Sequence, residues 1–525
     1  MEVLYMGEEM IHFYRTKVPK EYKTAFFSAF IIGILVHLYK FANTLPNHDS
    51  IYFYYGDMNV LGSGRWALSL AGGISSFYDL PWIIGLLTCF YIALTTVVIV
   101  ALFKMKNPVL IGLTGAFLAA SPATTETIFY LFTADAYMLA MLLAALAVYF
   151  ARIEEVHRDS RILSCVCICI SCGIYQAYLS FALLLALCYF MDVLLQNKHS
   201  KQACIKWVWQ QVLIYGASLA VYYGLWKLIM FISGTVPNSY QGISEVGKIT
   251  PGLLVNGAVK AIVSTIRYFL QWNVLEHGFG LYSILSILFL LVMSGGLLIA
   301  CIRSDLLKRK WAVVLFALCL AAIVPFACIW HFVSSSVEYR AIMLQSYTLL
   351  FVLTALVYEK WTKPVAKNMV CLLMMLIVFN NALMANICYF YMNLCYERSY
   401  AESVEMMMEI HHLQSEHEFD KIAVVGNKFP EVLMDNVDPA TGKMTNSGKI
   451  HLLSNALEKT LFFDSEHVTR FLQANFGLDL EVVSVDQRNK LLATTEVQMM
   501  SCWPAGGSVT VLGDTLVIKL SERFE

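Results

Sequence analysis

Residues 162–195 read ILSCVCICISCGIYQAYLSFALLLALCYFMDVLL. Whether they cross a bilayer once or twice orients everything downstream. A helix crossing the hydrocarbon needs about 20 apolar residues, so this run is one very long span or two short ones. If it breaks near Tyr175-Gln176, three basic loops share a side: Lys198/Lys201/Lys206, Arg303/Lys308/Arg309/Lys310 and Lys360/Lys363/Lys367. Lys248, Lys260, Arg267 and Arg340 then fall on the other side. Ten against four favours the break, because cytoplasmic loops collect Lys and Arg. Arg15, Lys17, Lys20 and Lys23 ahead of the first span agree.

Further spans are read at 23–42, 80–103, 210–232, 281–301, 311–330, 341–358 and 368–392. Residues 108–151 would make a helix of roughly 66 Å at 1.5 Å per residue, far longer than a bilayer. They break at Ser121-Pro122 into a hairpin, 108–121 and 134–151. The count is eleven, with the N-terminus inside and the C-terminal domain outside. The first span reads as an uncleaved anchor, since its apolar run is too long for a signal peptide and lacks a small-residue exit site. Val3 to Val18 reads as a short amphipathic helix on the inner surface.

Composition agrees with a membrane body. The 525 residues are 58% hydrophobic and 14% charged, with a mean hydropathy of +0.62, where a soluble domain carries about 25% charged residues. The net charge of −1 provides no field to gather nucleic acid. Residues 1–392 hold 26 Lys+Arg and 18 Asp+Glu, whereas 393–525 hold 11 and 20. The chain therefore divides into a greasy body, 1–392, and an acidic, soluble-looking domain, 393–525. The cysteines lie mostly in apolar runs and read as small hydrophobes; their spacing suggests neither a zinc site nor a disulfide framework.

The acids concentrate on the outer side. The first outer loop reads LPNHDSIYFYYGDMNVLGSGRW over residues 45–66, with Asp49, Asp57, Arg65 and several aromatics. Residues 66–77 are too short to span and read as an interfacial stretch, with Trp66 and Trp82 as belt anchors. Such a loop suits a sugar phosphate on a lipid: aromatics stack on sugar faces, an arginine forks onto phosphate, and a carboxylate acts as general base. Glu126 and Asp135 lie in the second outer loop. Tyr175 and Gln176 form the third, a turn so short that its polar pair should point between helices. Arg340 opens the tenth span near headgroup level. Plainer readings stand beside these. Asp79 before Leu-Pro-Trp reads as a helix cap, Glu338 as a partner of Arg340, Lys227 as a snorkelling side chain, and His48 as a structural neighbour rather than a metal ligand.

The motifs Asn47-His48-Asp49-Ser50, Ser63-Gly64-Arg65-Trp66, Ser121-Pro122 with Glu126, Phe132-Thr-Ala-Asp135-Ala-Tyr137 and Gly173-Ile-Tyr175-Gln176-Ala-Tyr178 resemble those of bacterial glucosyltransferase-domain membrane proteins. These are Gtr II-like enzymes related to the serotype-converting phage glucosyltransferases that modify O-antigen. The tail Cys502-Trp503-Pro504 through Val509 is similar to that of members with an outer domain. The resemblance covers most of the chain and is strongest over 40–195. It implies a GT-C-like fold in the bacterial cytoplasmic membrane. It also implies transfer of a sugar, typically glucose from undecaprenyl-phosphate glucose, to a cell-surface glycan hydroxyl outside the membrane. The GT-C pattern places an essential acid in the first outer loop, which maps to Asp49, with Asp57 second. Arg65 and Arg340 would meet the lipid phosphate, Glu126 or Asp135 the sugar hydroxyls, and Trp66, Tyr175 and Gln176 would complete the donor site. Direct attack predicts inversion. GT-C families differ in their need for metal; no cofactor and no metal cluster are expected here. A partner flippase and a donor synthase are implied. The alternative is a transporter or flippase of lipid-linked glycans, which should show internal repeats and midplane charges on broken helices; neither is evident.

The C-terminal domain reads as small α/β: helix over 393–420, a strand at Ile422–Gly426, helices at Asn455–Phe463 and Glu466–Phe476, a strand at Leu480–Val485, and a hairpin over Ser508–Leu520 turning at Gly513-Asp514.

Overall fold

The computed structural model describes residues 16–522 apart from 53, 156, 239–249, 271–279, 362, 427–435, 438–443, 446–460 and 463–464. The expected N-terminal amphipathic helix lies outside these residues up to position 15, as does most of the helix expected at Asn455–Phe463.

Proline sets many helix starts, because its fixed φ suits the first turn and its missing N–H is not needed there. Helices α1 (Lys20–Ala42) and α2 (Leu68–Gly72) are followed by α3 (Pro81–Phe103), α4 (Pro108–Ala120) and α5 (Pro122–Phe129). Asn107 caps α4 by accepting from the amides of Val109 and Leu110 at 3.0 and 3.1 Å. Ser121 caps α5 through Thr124 N at 3.1 Å. Then come α6 (Ala134–Phe150), α7 (Arg158–Ile174), α8 (Tyr178–Gln196), α9 (Lys201–Ser233), α10 (Pro251–Leu270), α11 (Leu281–Arg303), α12 (Lys310–Ala327), α13 (Thr348–Glu359) and the 53-residue α14 (Pro364–Glu416).

Among the described residues ten helices are long and apolar enough to cross a membrane, with Pro108–Phe129 counted as one. Two details differ from the sequence expectation. The run at 341–358 is helical only from Thr348, preceded by short 3-10 turns at Ala341–Met343 and Gln345–Tyr347. Helix α10 falls between the spans read at 210–232 and 281–301, where none is expected; Asn256, Lys260, Ser264 and Arg267 recur in it every three or four residues and make one polar face.

The contacts divide the chain into two compact units. One gathers Met1–Ala42, Asp57–Asn273 and Gly278–Ala385; the other includes Asn43–Gly56 and Asn386–Glu525. In the first unit, helix ends collect into two polar layers. One layer is rich in Lys and Arg. Lys106 donates to Glu21 at 2.8 Å, and the amides of Lys106 and Asn107 donate to Glu359. Trp207 donates to Ala151 O at 2.7 Å, Arg309 to Leu194 O at 2.8 Å, and Lys360 pairs with Asp192. The other layer holds the candidate site. Helix α10 belongs to it: Lys260 donates to Ser335 O at 2.6 Å, Ser264 bonds His331 at 3.0 Å, and Ser283 at the start of α11 donates to Leu270 O.

The second unit is built on a sheet of β1 (Lys421–Val425), β4 (Glu481–Val482), β5 (Val509–Leu512) and β6 (Thr515–Lys519), in the order β4-β1-β6-β5. A separate two-stranded ribbon pairs β2 (Asn436–Val437) with β3 (Met444–Thr445). Strands β1, β4 and β6 run parallel, and β5–β6 is the expected antiparallel hairpin. Helix α15 (Ser465–Phe476) packs Val468, Phe471 and Leu472 with Ile422 and Val424. The other sheet face joins Ala423, Val425 and Val517 to Val497, in the short helix α17 (Thr495–Met499), which follows α16 (Val485–Leu492). The strand expected to reach Val485 ends earlier, because Ser484 and Gln487 form a reciprocal capping box that starts α16. Ile51 of the Asn43–Gly56 segment lies in the core cluster with Met406, Phe462 and Phe471.

Candidate active site

In the first unit, Leu61–Ala67 is clamped by main-chain and side-chain bonds. Gly64 takes φ +80°, and a Cβ there would come within 2.6 Å of both Gln176 Nε2 and Tyr222 OH. That amide donates to Ser63 O at 2.7 Å and to Tyr222 OH at 2.9 Å, while Tyr222 donates to Gly64 O at 3.1 Å. Trp226 donates to Leu61 O at 2.8 Å, and Ala67 N–H to Gly173 O at 2.8 Å. The Trp66 ring lies on Gly173, where a Cβ would sit 2.6 Å from the indole. Gln176 and Trp66 thus hold the loop in place.

The loop presents Arg65. Its guanidinium lies 4.7 Å from the centroid of Tyr175, and Nη1 donates to Tyr137 OH at 3.1 Å. The rings of Tyr137 and Tyr175 stack at 4.3 Å with 7° between planes. A cation on such an aromatic plate keeps a fixed direction. Tyr339, beside Arg340, has Tyr175 among its electrostatic neighbours. The Arg340 segment is fastened by Glu126, fully buried on α5, whose Oε2 accepts from Ile342 N at 2.6 Å. Arg340 pairs with Glu338 at 3.4 Å, as expected.

Asp79 differs from its sequence reading. The residue at the start of α3 is Leu80, with no side-chain cap. Asp79 is half-buried, and Oδ1 accepts no hydrogen bond among the described residues. Burial raises its carboxyl to about 6, while the Lys40 ammonium pulls it down. Asp135, 1% exposed, accepts from Ala136 N at 2.8 Å and has Ser75 and Asp79 beside it. Lys40, 2% exposed in the last turn of α1, was not singled out from the sequence. The available signal was a lysine inside the end of an apolar span, where ionisable groups tend to be functional. Lys227 lies over Tyr223 and Trp226 at 5.4 and 5.0 Å.

Asp49 and Asp57 fall in different units. Asp57, in the first, is exposed and accepts from Asn59 N at 3.1 Å. Asp49 is in the second, 46% exposed, with Oδ1 3.3 Å from His48 Nε2. Asn47 Oδ1 accepts from Ser50 N and Oγ at 2.8 and 3.0 Å, closing the turn that presents it. Buried His48 stands 6.1 Å from the ring of His467 on α15, and Tyr52 meets His467 edge-on at 5.0 Å. Among the described residues no three His, Cys, Asp or Glu side chains converge as a metal site.

The profile of the family described as Glucosyl transferase GtrII matches residues 38–358. No curated protein and no solved structure matches the chain.

Proposed function

The chain belongs to the GtrII glucosyl transferase family, and on that premise we propose that it moves glucose from a polyprenyl-phosphate donor to a cell-surface glycan hydroxyl at the outer face of the bacterial cytoplasmic membrane. The observation that carries this reading is Arg65, fixed on the Tyr137–Tyr175 plate in the same polar layer as Lys40. A polyprenyl phosphate needs a preorganised cation where its negative charge grows during departure.

In the proposed reaction the Asp49 carboxylate takes the proton of the acceptor hydroxyl. The hydroxyl oxygen attacks the anomeric carbon, and the bond from that carbon to the phosphate oxygen breaks. The lipid phosphate leaves with the electron pair, and the anomeric centre inverts. Asp57 is the second choice for the base. Arg65 and Arg340 receive the phosphate, and Asp135 the sugar hydroxyls. Glu126, Trp66 and Gln176 act by holding the loops that carry the arginines. Phosphate is already a good leaving group, so the scheme draws on no cofactor.

The Lys/Arg-rich layer supports a cytoplasmic position for the N-terminus and the basic loops. On this reading α10, although long and apolar enough to span, lies at the outer side, the crossings number eleven, and the C-terminal domain is proposed to be extracytoplasmic. The test is purified protein in lipid nanodiscs with polyprenyl-phosphate glucose and candidate acceptor glycans. Asp49→Asn should lower transfer by at least 10²-fold, the usual scale for a general base. Unchanged transfer in that variant overturns the assignment.

A further inference from the structure

A groove of about 360 Å³ opens in the second unit where the edge strand β4 and the adjoining β1 meet α15 and α16. Its floor is Ile422–Val424 and Val482–Val485; Glu466, Arg470 and Gln473 line one wall, and Arg488 another. That volume lies in the range of small-ligand sites, on the order of 300–1,000 Å³. Open α/β sheets also take their ligands beside strand ends.

Charge defines the ligand. Residues 393–525 carry 20 acids against 11 bases, yet two guanidiniums converge on this groove. Each guanidinium has five N–H donors in a rigid fork. Arg488 directs one nitrogen to Ser465 Oγ. Arg470 uses Nε and Nη2 on Glu466 at 3.1 and 3.0 Å, and its carbon lies 4.4 Å from the Tyr52 ring centroid. The neighbouring groups are committed to the fold: Thr469 donates to Ser465 O, Gln473 to Leu480 O, and Ser484 caps α16. Glu466 also lines the groove, with its charge offset by Arg470; the donors left are guanidinium N–H groups of Arg470 and Arg488, which match the paired oxygens of a phosphate or carboxylate. On the rim, Val482 and Val485 are 43% and 61% exposed and offer an apolar face to the C–H groups of a sugar ring.

We propose that this groove is a second ligand site, taking a sugar that carries a phosphate or carboxylate, with Arg470 and Arg488 gripping the anion. The site stands apart from transfer chemistry and does not require the donor.

The experiment uses the full chain in nanodiscs without donor and measures binding by saturation-transfer NMR. The probes are glucose 6-phosphate, glucose and inorganic phosphate. Glucose 6-phosphate should bind saturably and at least tenfold more tightly than glucose, and more tightly than inorganic phosphate. Arg488→Gln and Arg470→Gln should each weaken it at least fivefold. Val485→Trp, which fills the exposed rim and leaves both arginines in place, should block it while preserving the thermal transition. Equal binding of glucose and glucose 6-phosphate overturns the proposal, as does binding that survives Val485→Trp and both arginine changes. Inorganic phosphate binding as tightly as the sugar phosphate overturns the sugar part. Transfer activity enters none of these readouts, so they stand or fall independently of the proposed reaction.

Discussion

Replacing Gly64 by alanine should undock the turn that carries Arg65. Its φ of +80° is left-handed, where a Cβ costs about 1–2 kcal/mol. The new carbon would also sit 2.6 Å from Gln176 Nε2 and from Tyr222 OH. Moving those groups away breaks the bonds from Gln176 to Ser63 O and from Tyr222 to Gly64 O, each contributing about 1 kcal/mol. The sum is about 3–4 kcal/mol of local docking energy, or roughly 10²- to 10³-fold in an opening equilibrium. Hydrogen exchange with mass spectrometry on the nanodisc-embedded chain reads this directly. The amides of Gly64 and Ala67, which donate to Leu61 O at 2.9 Å and Gly173 O at 2.8 Å, should exchange faster by that factor while the helix interiors keep their protection. Gly64→Asn should fall between wild type and alanine, because asparagine tolerates the left-handed region but still adds the Cβ. Wild-type protection of both amides in Gly64→Ala would refute this reasoning. Protection lost evenly along the chain would refute it too, since the damage would then be global.

Two further predictions follow the buried carboxylates. Asp79 sits at about 6 against an ordinary 3.8, so the folded state holds its proton more tightly than the unfolded one; stability should fall as pH rises from about 4 to about 6 and stay lower above that, by up to about 3 kcal/mol. Asp79→Asn should remove that slope, raising the unfolding temperature at pH 7.5 and leaving it unchanged near pH 4; a lower transition at pH 7.5 would show that the Lys40 pairing outweighs burial. Glu126→Ala strands the Ile342 amide, losing a buried bond of 2.6 Å; a cost of about 1–3 kcal/mol should appear as faster exchange at Ile342, with Glu126→Gln recovering part of it.

The sequence carried the helical body well where the signal was local. Pro122 after Ser121 divides 108–151, and the break at Tyr175-Gln176 falls between α7 and α8, because a capping serine, a proline and a polar pair are each visible within a few residues. Partnerships across the chain were not visible. Asp79 looked like a cap, and only folding sets Lys40 near it. Arg65 was expected to meet phosphate, but its tyrosine plate joins positions 72 and 110 residues further along, one on α6 and one in the turn between α7 and α8. Helix α10 is hidden for a different reason: its polar positions recur every three or four residues, so it contains no unbroken apolar run. The C-terminal unit was readable as strands and helices, whereas the share of its core that comes from Ile51 left no trace in local pattern.

That contribution from Ile51 has a consequence for biosynthesis. The segment Asn43–Gly56 leaves the ribosome early, but the side chains that cover Ile51 come from Met406 and beyond, some 350 residues later. At the usual 5–20 residues per second the wait is roughly 20–70 s. Throughout that interval Asp49 rides on an unfinished surface, and a chain that stops short of its last strands never completes it. Completion of this core therefore ties the surroundings of the earliest candidate residue to the arrival of the last-made sheet.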